Sequence, residues 1–347
     1  MVLEPVTIIQ NDTPATMRAQ VLEGFGQPLS LSTLPRPVAG EGEVLVRIAA
    51  AGLNPLDAKI AAGAAAHAQV TPPAILGLDA SGVVVEVGPG VSDLAVGDEV
   101  FGMIGGVGNV QGALAEYAAV DAALLAKKPR TWSFVEAASV PLGFITAWEG
   151  LVDRAQVTSG KTVLVHGGAG GVGHLAVQIA TARGAEVYAT GSARQHDVIA
   201  ALGAKPIDYA TTPVEQYVAE HTGGAGFDIV LDTVGGENLD RSFAAARTYH
   251  GHVVSSLGWG SHSLAPLSFK GATYSGVFTL LPLLTGEGRA HHGEILRAAA
   301  DVAERGLLRP LVHGEPFAFD RTEDALAQVV VGVPSGKVVV AVAAGAM

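Results

Sequence analysis

Two hydrophobic patterns divide the chain. Over residues 17–125, short β-branched runs are interrupted closely by Gly and Pro, as at 43–48, 81–87 and 99–101. This pattern predicts a partly open β-barrel. From about residue 134 to 278, strand-like runs alternate with helical segments, which predicts a doubly wound parallel sheet. The predicted strands of that sheet are 163–166, 186–190, 205–208, 228–232, 252–257 and 273–277.

After residue 280 the alternation of strand and helix ends. The pattern predicts a helix over roughly 290–305, a strand at 315–319, a helix that begins at Asp320 or Thr322, and a last strand over 336–342. Because this part has no βαβ repeat, we expect it to return to the first domain. The sequence therefore predicts an α/β protein of two domains.

A glycine-rich segment follows the predicted strand over 161–165 and precedes a helical pattern over 174–183. In the pattern Gly-x-Gly-x-x-Gly, the first glycine permits a tight turn, the second leaves room for a pyrophosphate, and the third lets the helix pack closely on its strand. The helix N-terminus then directs free N–H groups at the phosphates. The predicted dinucleotide site comprises Gly168, Ala169, Gly170, Gly171, Val172 and Gly173.

The end of the second strand of this unit indicates which cofactor binds. An NAD site usually has Asp or Glu there for the ribose 2′-hydroxyl, whereas an NADP site has a basic residue. Here Gly191 and Ser192 leave room, Arg194 can pair with a 2′-phosphate, and no carboxylate occurs before Asp197. The alternative is an Arg194 that only begins the next helix. We predict NADP(H).

Composition limits the possible partners. The chain has 347 residues, a net charge of −12 and no cysteine. The negative charge argues against nucleic acid and anionic membrane surfaces as partners, and the missing cysteines exclude disulfides and thiolate metal sites. The N-terminal residues have no basic segment typical of a signal peptide, and no apolar run is long enough for a membrane span. We expect a cytoplasmic enzyme.

Several motifs in a fixed order resemble the medium-chain dehydrogenase/reductase superfamily, and within it the zinc-independent quinone oxidoreductases related to zeta-crystallin. They lie at 17–26, 50–57, 76–82, 87–90, 96–101, 112–117, 141–148 and 232–236, besides the glycine-rich segment. The resemblance implies a GroES-like β-barrel catalytic domain with a Rossmann domain inserted. The implied boundaries are an N-terminal extension over 1–16, a catalytic domain over 17–133 and 279–347, and a Rossmann domain over 134–278.

The resemblance also predicts that no metal is bound. Zinc-dependent relatives place Cys near position 54 and a His-Glu pair after the glycine at 77, whereas this chain has Asn54 and Leu78-Asp79. Its histidines show no third ligand at a plausible spacing. Without a Lewis acid, alcohol oxidation is difficult, whereas hydride addition to a conjugated carbonyl needs only hydrogen-bond donors and a proton.

The resemblance places three candidate catalytic residues beside the nicotinamide. Asn54 is expected to donate its amide toward substrate or nicotinamide, and Asp57 to orient a neighbour or to cap a turn. Lys59 occupies a position where many relatives have Tyr; it is either a proton donor or a solvent-facing lysine. Further cofactor contacts are expected from Thr146, Tyr209, Val234 and Phe278.

Two apolar segments are candidates for the substrate pocket, the glycine-rich loop 102–111 and the run 278–284, although the second could instead pack between domains or in a dimer interface. The predicted function is NADPH-dependent reduction of quinones or enones by a homodimer. One alternative is an enoyl-thioester reductase, which the acidic charge and the missing Tyr disfavour. The other is a non-catalytic, crystallin-like NADPH-binding protein, which the intact glycine motif disfavours.

Overall fold

The computed structural model describes residues 14–333 and 335–343, so most of the predicted extension over 1–16 lies outside the described residues. The strands in this part of the chain are β1 (Thr16–Leu22), β2 (Ser30–Pro35), β3 (Glu43–Leu53), β4 (Ala74–Ile75), β5 (Asp79–Val87), β6 (Glu99–Met103), β7 (Tyr117–Asp121), β8 (Leu125–Lys127), β9 (Thr162–Val165), β10 (Glu186–Gly191), β11 (Lys205–Asp208), β12 (Ile229–Asp232), β13 (His252–Ser255), β14 (Thr273–Gly276), β15 (Phe317–Ala318) and β16 (Val338–Ala341).

Helices connect these strands mainly in the second half of the chain. They are α1 (Pro55–Ala61), α2 (Phe134–Ala138), α3 (Pro141–Trp148), α4 (Gly173–Ala182), α5 (His196–Ala201), α6 (Val214–Thr222), α7 (Glu237–Ala245), α8 (Ala265–Lys270), α9 (Leu281–Thr285), α10 (Arg289–Glu304) and α11 (Thr322–Val331). Within the described ranges, no helix has the length and apolar character needed to cross a membrane.

The first part of the chain folds into two sheets. β1 pairs antiparallel with β2 and β4, and a seven-stranded mixed sheet has the order β15-β16-β3-β5-β6-β8, with β7 also on β3. β3 is the central strand of the larger sheet, and all of its residues from 48 to 53 are buried. This long buried strand carries the chain directly to Asn54 at the start of α1.

The second part is a six-stranded parallel sheet with the order β11-β10-β9-β12-β13-β14. β9 and β12 consist of apolar residues and are buried, apart from half-buried Thr162 and the acidic Asp232 at the end of β12, as expected for strands covered on both faces. Strand order reverses between β9 and β12, and in open α/β sheets the ligand crevice lies at such a switch point, beyond the carboxyl ends of the strands. The predicted Rossmann-type fold is confirmed.

The C-terminal segment completes the first sheet. β16 pairs antiparallel with β3, from Val338 opposite Leu53 to Ala341 opposite Ala50. The loop before β16 also contacts the parallel-sheet part, because the N–H of Gly336 donates to the carbonyl of Ala169 at 3.1 Å. The last strand therefore joins the start of the active-site segment to the glycine-rich loop.

Asp57 fixes the first turn of α1. Its carboxylate accepts the N–H of Asn54 at 2.8 Å and the N–H of Gly77 at 3.1 Å, and the side chain is completely buried. Burial raises the pKa of Asp57 to about 7, although the two N–H donors oppose the rise. Sequence analysis expects Asp57 either to orient a neighbour or to cap a turn. In the structure its carboxylate accepts the N–H of Asn54 in the first turn of α1, which is consistent with this expectation.

Gly52 allows the close approach of α2 to β3. A Cβ at position 52 would overlap the carbonyl oxygen of Ala138, the last residue of α2. We expect Gly52→Ala to lower the free energy of unfolding by about 1–3 kcal/mol, because this buried contact cannot expand without moving backbone. Gly276→Ala, where the added methyl group meets only the Tyr274 hydroxyl at an ordinary contact distance of 3.9 Å, is the control and should stay within about 0.5 kcal/mol of wild type. Urea unfolding measures both; equal effects would contradict the packing argument.

The raised pKa of Asp57 predicts a pH-dependent stability. The folded protein keeps a proton up to about pH 7 that an unfolded aspartate releases near pH 4. The stabilising contribution is therefore complete below about pH 4 and is lost as the pH rises to about 7. Urea midpoints measured across this interval should fall for wild type and vary less for Asp57→Asn; parallel pH profiles would refute the assignment.

Candidate active site

The glycine-rich loop lies at the carboxyl end of β9. Gly167 adopts a left-handed φ of 74°, and a Cβ at Gly168 would overlap the Cβ of Ala189 on β10. A Cβ at Gly173 would overlap the carbonyl oxygen of Gly167, so α4 packs tightly against the loop, whereas a Cβ at Gly170 would approach only that same oxygen, at 3.2 Å. The space in front of Gly170 is thus free for a ligand, and the residue in the left-handed turn is Gly167, which the sequence motif did not single out.

The neighbouring strand end is where the sequence predicts contacts to the adenosine ribose. Gly191 ends β10, and Ser192 begins a turn in which the Gln195 side chain accepts the Ser192 N–H at 2.8 Å. Arg194 is exposed in this turn, and its guanidinium has no hydrogen-bond or ion-pair partner among the residues described. Tyr209 follows β11 and is 60% exposed. Four of the predicted residues, Gly191, Ser192, Arg194 and Tyr209, therefore lie at one edge.

Asp232 shapes the next loop at the same edge. Its buried carboxylate accepts the N–H groups of Val234 and Gly235 at 3.1 Å, the side-chain amide of Asn238 at 2.8 Å and the Ser255 hydroxyl at 2.8 Å. Val234 is 54% exposed as a result. The sequence predicted Val234 as a cofactor contact but not the carboxylate that holds its loop.

Thr146 and Phe278 come together from distant parts of the chain. Thr146, in α3, donates its hydroxyl to the carbonyl of Leu142 at 2.7 Å, and its Oγ1 lies 2.9 Å from Oγ1 of Thr279. Phe278 precedes Thr279 and is half-buried. A buried hydrogen bond between Thr146 and Thr279 thus joins α3 to the segment that carries Phe278.

A buried ion pair lies beside Asn54. The Lys337 ammonium donates to the amide oxygen of Asn54 and lies 3.2 Å from the carboxylate of Asp79, to which the Asn54 amide nitrogen donates at 3.0 Å. The second carboxylate oxygen of Asp79 accepts the N–H of Leu142 at 2.8 Å. Burial raises the pKa of Asp79 and the Lys337 charge opposes the rise. Asn54 itself is 2% exposed, so the network occupies its amide on both sides.

Lys337 also contacts the glycine-rich loop. A Cβ at Gly171 would lie 3.1 Å from Cδ of Lys337. The aliphatic part of the lysine therefore lies against the loop predicted to bind phosphate, while its ammonium lies at Asn54 and Asp79. Sequence analysis missed Lys337 because it follows Gly336 in an ordinary strand pattern, and only the buried Asp79 on β5 hinted at a cationic partner.

Lys59 has a different environment. It lies exposed in the last turn of α1, so the burial that its proposed role as an acid requires is missing. The solvent-facing alternative from sequence analysis fits this position better.

The residues at the positions of zinc ligands do not fit a metal ion. Asn54 is bound to Lys337 and Asp79, and Leu78 is an apolar side chain in the core. Over residues 14–333 and 335–343, no group of three His, Cys, Asp or Glu side chains could hold a metal.

The two segments predicted to line the substrate pocket contact each other. A Cβ at Gly108, in the loop 102–111, would lie 3.0 Å from the Leu284 side chain in α9. A groove of about 430 Å³ runs along this loop, but it is lined by residues of β1, β2 and β4 and by none of the predicted catalytic residues.

Two family models match the chain. Residues 40–130 match the alcohol dehydrogenase GroES-like domain, and residues 202–340 match the zinc-binding dehydrogenase domain. A 2-methylene-furan-3-one reductase from Solanum lycopersicum is 35% identical over 94% of this chain and 79% of its own. An NADPH-dependent alkenal/one oxidoreductase from Arabidopsis thaliana is 34% identical over 94% of this chain and 80% of its own.

Other matches are parts of much larger proteins. The spectinabilin polyketide synthase protein NorB from Streptomyces orinoci is 37% identical over 85% of this chain, and the matched region makes up 13% of that synthase. The chain thus spans only a small part of the first polyketide synthases that it matches.

Solved structures show the same fold. An alcohol dehydrogenase superfamily protein from Novosphingobium aromaticivorans is 54% identical, with a TM-score of 0.92 over 94% of this chain and all of that one. The CurK enoyl reductase is 28% identical with a TM-score of 0.82, and the quinone oxidoreductase from Coxiella burnetii is 30% identical with a TM-score of 0.80; each match covers 94% of this chain and 99–100% of the other. The protein belongs to the medium-chain dehydrogenase/reductase superfamily.

Proposed function

We propose that the protein reduces conjugated carbonyl compounds, enones or quinones, with NADPH. The observation that carries this proposal is the buried Lys337–Asn54–Asp79 cluster beside the glycine-rich loop, in which Asn54 stands where the sequence resemblance places a zinc-ligating Cys. The relatives named for alkenal, enone and quinone reduction support the same reaction class.

The residues of this chain suit such a reaction. Bound NADPH supplies the hydride, and negative charge then develops on the carbonyl oxygen of the acceptor. The Lys337 ammonium and the Thr146 hydroxyl are polar groups near the predicted nicotinamide position, both largely excluded from water. In such surroundings, fixed charges and donors act more strongly than in bulk water. Positioning and electrostatics therefore account for most of the proposed catalysis.

An enoyl-thioester reductase is the second candidate. It is favoured by the similarity to a polyketide synthase segment and to the CurK enoyl reductase. A net charge of −12 disfavours an acidic carrier protein or a phosphate-rich thioester as partner.

We expect NADPH to bind more tightly than NADH. Arg194 can pair with the 2′-phosphate, an interaction worth about 1.5–3 kcal/mol or roughly ten- to hundredfold in affinity. Arg194→Ala should remove this preference. Arg183→Ala is the matched control, because Arg183 lies at the opposite end of α4 and stacks on Trp148. Calorimetric dissociation constants for both cofactors test this; equal affinities in wild type would contradict it.

We expect NADPH oxidation with enones and quinones to exceed that with enoyl-CoA esters. Because Lys59 is exposed, Lys59→Met should lower kcat by at most about 10²-fold, the low end of general acid catalysis. Initial rates with the three acceptor classes measure both points. Faster turnover of enoyl-CoA would favour the second candidate. A folded Lys59→Met protein that binds NADPH but loses more than about 10⁴-fold would make Lys59 an essential acid.

We also propose a homodimer. β14 is an edge strand of the parallel sheet, and Phe269, just before it in α8, is 88% exposed. Unpaired edges and exposed aromatic rings favour association with a second copy. Light scattering should give twice the chain mass for wild type, and Phe269→Asp should shift the protein toward monomer. A monomeric wild-type protein at micromolar concentration would refute this.

A further inference from the structure

Three aromatic rings from distant segments meet at the cleft. The His67 ring stacks on the Trp259 ring with centroids 5.1 Å apart and planes inclined by 30°. Phe278 meets both rings edge-on, each at 6.1 Å. His67 belongs to the turn after α1, Trp259 to the loop after β13, and Phe278 to the segment after β14. We call these three side chains the aromatic wall.

His262 contacts the backbone of Trp259 and so supports this part of the aromatic wall. The His262 ring lies 3.1 Å from the carboxylate of Asp240 and 3.4 Å from the carbonyl oxygen of Trp259. The hydrogen bond to Asp240 raises the pKa of His262. The Trp259 backbone is thereby fixed while its ring stays 55% exposed.

The His67 side is fixed as well. Ala68 is completely buried, and its carbonyl accepts the N–H of Gly108 at 2.9 Å. The Asn109 side chain accepts the N–H of Thr71 at 3.1 Å. Two bonds thus tie the His67 turn to the loop 102–111, which was predicted from sequence to border the substrate pocket.

The wall lies next to the predicted nicotinamide position. Phe278 directly precedes Thr279, whose hydroxyl lies 2.9 Å from that of Thr146. An exposed ring face that is already fixed in place binds flat apolar groups at a low cost in conformational entropy. A linear or compact acceptor would leave most of this surface in contact with water.

We propose that Trp259, with His67, binds the aromatic ring of aryl-substituted enones and so determines substrate preference. This inference rests on the proposed function and specifies its substrate class. The ring of the acceptor lies against the exposed Trp259 face, and its conjugated carbonyl extends past Phe278 toward Thr146. Aryl enones are therefore preferred over compact ones.

The test compares benzylideneacetone, which carries a phenyl ring, with methyl vinyl ketone, which does not. Trp259→Ala should lower kcat/KM for benzylideneacetone about tenfold, mainly through KM, and change that for methyl vinyl ketone less than about twofold, as expected for loss of one stacked ring. His67→Ala, a change on an exposed turn, should also lower kcat/KM for benzylideneacetone more than kcat/KM for methyl vinyl ketone. Tyr249→Asn removes an exposed ring before the start of β13, at the opposite end of that strand from Trp259, and should change kcat/KM for neither enone.

Binding gives an independent measurement. The saturated product of benzylideneacetone should quench tryptophan fluorescence in wild type, and Trp259→Phe should abolish that quenching if the ring lies on Trp259. The proposal would be overturned if Trp259→Ala lowered kcat/KM equally for both enones. It would also be overturned if Trp259→Ala and His67→Ala both left kcat/KM for benzylideneacetone unchanged. Methyl vinyl ketone reduction by wild type remains a separate test of the proposed function, so either can fail without the other.

Discussion

The fold of the candidate site depends on one buried ion pair, between Lys337 and Asp79. The two residues are 258 positions apart in the chain, and their side chains are 5% and 0% exposed. A buried pair gains little net stability over apolar residues, but the loss of one partner leaves an uncompensated charge in the core. The pair therefore fixes β16 against β5 and the glycine-rich loop rather than simply adding stability.

This constraint explains how the two ends of the chain form one site. Asn54 lies at the end of the long strand β3, and Asp57 fixes the first turn of α1. Lys337 directly precedes the last strand and contacts the loop at Gly171. The Lys337–Asn54–Asp79 cluster thus comes from the barrel sheet and the residues directly beside its strands, while the glycine-rich loop follows a strand of the parallel sheet.

Local patterns in the sequence predicted the parallel sheet almost strand by strand, because apolar runs and glycines report on the local backbone. They also predicted the glycine-rich loop and the strand end with Arg194. They did not predict the Lys337–Asp79 pair or the aromatic wall, because these contacts join residues far apart in the chain. The sequence also left open whether Lys59 is exposed, because that depends on how α1 packs against the rest of the protein.

A double-mutant cycle tests the central claim most directly. The free energy of unfolding is measured for wild type, Asp79→Asn, Lys337→Met and the double variant. If the pair holds the site together, each single change costs about 3–5 kcal/mol, and the double change costs less than their sum by about 2 kcal/mol, within the range known for contacting residues. Additive effects, or single variants as stable as wild type, would contradict the account.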